Sequence, residues 1–97
     1  MEPRSGWTFL SNHAHVLIAL AADPSMRLRD LADRVGITER AVVQIIVDLE
    51  AAGALAHERD GRRNLYRVHG DVALRHPVEA HRTVGDLVTA VIGELRR

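Results

Sequence analysis

Two short helical segments meet at Gly36, and the second closes on Gly53; the stretch Leu28–Gly53 constrains the fold more tightly than any other. Over Arg29–Val35 the residues Leu31, Ala32 and Val35 fall on one helical face at three- and four-residue spacing. Gly36 follows, and glycine is the residue most tolerant of a left-handed helix end. Thr38 is placed to cap the next helix, with Glu39 near the positive end of its dipole. That helix is expected over Glu39–Ala52. Val42, Ile45, Ile46 and Leu49 form its apolar stripe, and Gly53 stops it. Two helices joined by a tight glycine-containing turn make a helix-turn-helix.

The flanks extend the pattern. Ala54–Arg59 and Asn64–His69 read as two strands, with Asp60-Gly61 favouring a hairpin turn between them. Leu55, His57 and Arg59 share one face, opposite Val68, Tyr66 and Asn64. Leu55, Val68 and Tyr66 are expected to face the core, with Arg62 and Arg63 at the hairpin tip. Upstream, residues 1–6 read as a flexible leader, and Trp7, Phe9 and Leu10 as apolar groups packing back on the core. Ser11 or Asn12 can cap a helix running to Ala22, whose residues Ala14, Val16, Leu17, Ile18, Leu20 and Ala21 nearly encircle it. Pro24 ends that helix, and Met26-Arg27-Leu28 is a candidate extended strand. In Asp71–Arg82, His76-Pro77 argues against a continuous helix. Thr83 and Asp86 form a variant capping box for a last helix over residues 83–96, with Val84, Leu87, Val88, Val91, Ile92 and Leu95 on its apolar face.

Composition sets the function classes. A chain of 97 residues suits one domain, over residues 7–97, without a separate catalytic or ligand-binding domain. Trp7, Phe9 and Tyr66 are the only aromatic residues, so the core is aliphatic. The absence of cysteine excludes disulfides and thiolate metal sites. The apolar run Ala14–Ala22 is too short to span a bilayer and no secretory signal opens the chain, so a soluble, cytoplasmic protein is expected. No glycine-rich phosphate loop, nucleophile motif or acid–base pair suggests an enzyme. Asp30, Asp33, Asp48 and Glu50 are explained by solvation on helix faces. His13 and His15 are two apart and point in different directions on a helix, and nothing completes a site around His76 and His81. No metal and no cofactor are expected. Net charge is +0, so any attraction to nucleic acid must come from a local basic cluster.

The segments Leu31-Ala32, Val35-Gly36-Ile37-Thr38 and Leu49-Glu50-Ala51-Ala52-Gly53 resemble the DNA-binding core of MarR-like and ArsR-like regulators. Glu58-Arg-Asp-Gly-Arg-Arg-Asn-Leu-Tyr66 resembles their wing, and Leu74–Leu87 the tail of a short, actinobacterial-type subgroup. The resemblance implies a mainly α fold with a small β-hairpin wing, a winged helix-turn-helix, with residues 28–53 as helix-turn-helix and 54–69 as wing. It implies a homodimeric, DNA-binding transcriptional regulator whose third helix enters the major groove. By position, Thr38, Glu39, Arg40, Val43, Gln44 and Val47 then form the outer face of that helix. Gln44 can pair with adenine, Arg40 can reach guanine or phosphate, and Val43 can meet a thymine methyl. Thr38 can bond phosphate, and Arg62 and Arg63 hold the backbone from the wing. Glu39 and Asp48 repel phosphate unless they accept from cytosine N4. The first and last helices can close the monomer core or form a two-fold interface; they are more apolar than a domain of this size covers, which favours a dimer interface at Leu17, Leu20, Val84, Leu87, Val88, Val91, Ile92 and Leu95. The sequence shows no dedicated effector pocket. Two other readings stay open: a protein-docking module using Val43 and Val47, and a nucleoid protein binding DNA without sequence preference.

Overall fold

The computed structural model describes residues 6–93. Its order is α1 (Asn12–Ala22), α2 (Leu28–Val35), α3 (Glu39–Ala51), β1 (Leu55–Asp60), β2 (Arg63–Val68) and α4 (Val84–Ile92). This is the mainly helical winged helix-turn-helix expected from the sequence. Of the proposed leader, residues 1–6, all but Gly6 lie outside the described residues, as does Leu95.

α1, α3 and α4 each start where a side chain accepts from an N–H that lacks a backbone partner. Ser11 Oγ accepts from the Ala14 N–H at 3.2 Å, and Thr38 Oγ1 from the Ala41 N–H at 3.0 Å. Arg27 is extended and offers α2 no side-chain cap. Leu28 therefore enters α2, and Met26-Arg27-Leu28 is not a strand. Strand pairing there is reduced to the Pro24 carbonyl, which accepts from the Tyr66 N–H at 2.8 Å. Pro24 has no N–H to return the bond. Gly36 sits at φ +88°, closing α2 in the left-handed conformation that a side chain resists.

α1 is the centre of the packing. It touches α2, α3, β2 and α4. That answers why it is apolar nearly all round, and for part of the expected dimer face it favours the alternative of a closed monomer core. Leu17, Leu20, Val84 and Val88 lie inside the chain's own core, Leu20 and Val88 with no exposure at all. They offer no area to a second subunit. Of the remaining described residues of that set, Leu87 and Ile92 are half-buried and Val91 is 52% exposed. Trp7 and Phe9 also depart from expectation. They are 72% and 90% exposed and meet each other edge to face at 4.7 Å, while only Leu10 of the three is half-buried.

The hairpin register is the one the alternation predicts: Leu55 faces Val68, His57 faces Tyr66 and Arg59 faces Asn64. Its turn is shifted by one residue, because β1 continues through Asp60 and the loop is Gly61-Arg62. Gly61 has φ +65°, and among the described residues no non-glycine residue, Arg62 included, has positive φ, the pattern of a type II′ turn. After β2 the chain doubles back on itself, with Ala73 bridging Thr83. Gly70 and Gly85 let two backbones touch there: the Gly85 N–H donates to the Gly70 carbonyl at 2.9 Å, and a Cβ on Gly85 would lie 3.0 Å from that oxygen. Thr83 and Asp86 form the predicted capping box, and α4 ends at Ile92 with Gly93 as its cap, short of the expected Arg96.

The backbone and side-chain hydrogen bonds from Thr83 hold the Asp86 carboxyl below its ordinary value of 3.8. A depressed carboxylate stabilises the fold fully above its unfolded value and loses that contribution as pH falls through the folded one. Acid titration followed by α4-sensitive NMR amide signals should therefore show α4 weakening only below about the ordinary Asp range. Fraying of α4 nearer neutral pH would contradict the capping box.

Candidate nucleic-acid interface

α3 has two unlike faces. Val42, Ile45, Ile46 and Leu49 are buried in the core. Glu39, Arg40, Val43, Gln44 and Val47 are exposed, with Thr38 exposed at the cap. The structure thus places the sequence-predicted set on one open surface. Val43 is 45% exposed and Val47 52%, which leaves apolar area unused by the fold.

The wing residues divide. Arg62 is exposed in the two-residue loop, with no ion pair or side-chain hydrogen bond among the described residues. Arg63 begins β2, and its Nη1 donates to the Ser25 carbonyl at 2.9 Å. Arg63 therefore straps the wing to the loop before α2, and only Arg62 sits at the tip proper. Arg67 and Glu58 pair across the hairpin at 3.1 Å, both exposed, so that pair adds little to stability.

A neutral chain needs a local concentration of positive charge, and the fold supplies one. A cleft of about 410 Å³ between the wing and the start of α2 is lined by Arg27, Arg62 and Arg63, with Ser25, Asn64 and Tyr66 beneath them. Arg27 was missed in the sequence because it is distant from the wing along the chain. A cluster of this kind attracts phosphate.

Asp48 is not a free acid beside this surface. Its Oδ2 lies 2.8 Å from His13 Nε2 on α1, and its Oδ1 accepts from Gln44 Nε2 at 3.1 Å. Those hydrogen bonds, His13 first and Gln44 second, keep the carboxyl below its ordinary value of 3.8. Of the other histidines, His57 pairs with Glu50 and His69 with the Gly53 carbonyl. Among the described residues no group of three or more His, Asp or Glu is gathered where it can hold a metal ion. No described helix is long and apolar enough to cross a membrane.

A second cleft, about 460 Å³ and mainly apolar, lies between α1, the end of α2 and α4. Leu10, Ile18, Val91 and Ile92 line it, with Thr8, His15 and Arg34 as its polar groups.

Residues 7–63, the span from Trp7 through the wing tip, match the MarR family. The chain belongs to the MarR family. Two solved structures of the PcaV transcriptional regulator from Streptomyces coelicolor resemble this MarR-family chain. One is 34% identical over 61% of this chain and 46% of PcaV, with a TM-score of 0.53. The other, PcaV in complex with its natural ligand, is 28% identical over 86% of this chain and 60% of PcaV, with a TM-score of 0.57. This MarR-family chain thus spans less than two thirds of PcaV. No curated protein sequence matches it significantly. Family and fold are those of transcriptional regulators rather than of enzymes.

Proposed function

We propose that this chain is a cytoplasmic, homodimeric transcriptional regulator that binds double-stranded DNA, with α3 in the major groove and the wing along the backbone. The observation that carries this reading is the open outer face of α3, Thr38 to Val47, with Arg27 sharing one cleft with Glu39 at its start and another with Arg62 and Arg63 of the wing. Gln44 and Arg40 supply base-edge chemistry, Val43 an apolar contact for thymine, and the arginines the phosphate contacts. The dimer is assigned to Val91, Ile92 and Leu87 of α4 together with the exposed Trp7 and Phe9, part of the apolar area the fold leaves uncovered or half-covered. The α1–α2–α4 cleft, with Arg34 and His15 at its wall, is the place where a small effector would act on both dimer and reading head.

The test is enrichment of genomic fragments by the purified chain. Recovery of one sequence with two-fold related half-sites about one helical turn apart supports the reading. A docking module, favoured by the exposed Val43 and Val47, enriches no fragments, and a nucleoid protein enriches them without a shared sequence. Arg62→Ala is expected to weaken binding to all duplexes alike and to lower the salt slope by about one unit per site. Arg63→Ala should additionally loosen the wing, because it also removes the strap to Ser25.

A further inference from the structure

Gln44 alone does not dictate which base it prefers, because a free carboxamide can present its oxygen or its nitrogen to either side. In this fold it is not free. The Asp48 carboxylate only accepts hydrogen bonds, so it takes the NH₂ end of Gln44 and fixes which way the carboxamide faces. One N–H of Nε2 is then held by Asp48. The other N–H and Oε1 remain, and these are the donor and acceptor that adenine N7 and N6–H require. Asp48 is itself anchored. Its second oxygen is held by His13, from a helix 35 residues away in sequence that is locked in the core by Val16 and Leu17.

We infer that Asp48, held by His13, is a positioning residue that orients Gln44 to read adenine in the major groove. The inference rests on the DNA-binding reading above and adds a specificity role for two residues outside the contact face. It also explains an acid beside a surface that should meet phosphate: both Asp48 oxygens are engaged within the protein.

The experiment measures base preference with a set of duplexes built on the fragment the wild type selects, each carrying one base-pair change, for wild type, Gln44→Ala, Asp48→Ala, Asp48→Asn and His13→Ala. Wild type should prefer adenine at one position per half-site by about tenfold, and Gln44→Ala should abolish that preference. Asp48→Ala should flatten the same position, while binding to unrelated duplex holds or strengthens because a negative charge is gone. A merely structural defect would weaken both together. Asp48→Asn should blunt the preference to a level between wild type and Asp48→Ala, since its carboxamide can accept from Gln44 or donate to it. His13→Ala should flatten the position less than Asp48→Ala. The inference is overturned if Asp48→Ala keeps the wild-type profile or if Gln44→Ala leaves the profile unchanged. A wild type that binds no duplex at low salt overturns the DNA-binding reading itself, a separate result from a wild type that discriminates as well as its Asp48→Ala variant.

Discussion

Replacing Leu31 with alanine is expected to destabilise the fold by about 2–5 kcal/mol. Leu31 has no exposed surface and sits in α2 against the aliphatic core. That core is built mainly of close-packed Val, Leu, Ile and Ala, with Tyr66 its one buried aromatic residue, and such packing relaxes only partly around a cavity. Single domains of this class have roughly 5–15 kcal/mol of stability, so the loss is a large share of the total. Urea unfolding followed by circular dichroism measures it. The same truncation at Val47, half-exposed on the outer face of α3, should change stability by less than about 0.5 kcal/mol. Equal effects at both positions would mean that the two faces of α3 and α2 have been misassigned.

Reversing the charge of Arg40 is expected to separate stability from DNA binding. Arg40→Glu removes a basic group from the first turn of α3 and puts an acid there, beside Glu39. An acid in that turn suits the helix dipole, so thermal stability should hold or rise slightly. Affinity for DNA at low salt should fall by at least about tenfold, because a phosphate or guanine contact becomes a repulsion. Anisotropy titration alongside a thermal melt reads both. Lost affinity with a lowered melting temperature would point to unfolding instead. Unchanged affinity would remove Arg40 from the interface.

The features legible in the sequence were those set by short spacing. Thr38 and Gly53 mark the ends of α3 because a cap and a stop act on their immediate neighbours. The Thr83–Asp86 box and the pairing of Leu55 with Val68 and His57 with Tyr66 are equally local. What the sequence concealed depends on where distant segments meet. Leu17, Leu20, Val84 and Val88 looked available to a partner because periodicity gives the width of an apolar face, not what covers it. Four other elements close around α1 and cover it. Trp7 and Phe9 are the converse case, large apolar groups that the described core does not take up. Within the candidate site, Thr38, Arg40, Val43 and Gln44 were legible from helix position. The Arg27 contribution, the Arg63 strap and the His13–Asp48–Gln44 chain were not, because each joins residues from separate elements.

On the function proposed above, a chain of zero net charge presents one locally basic, open face to DNA. The measurement that tests it most directly is a fluorescence anisotropy titration of the wild-type chain against duplex DNA across a series of salt concentrations. The account predicts binding at low salt whose logarithm falls linearly with the logarithm of salt, with a slope of several units shared among the phosphate contacts. No binding at low salt, or binding indifferent to salt, would contradict it.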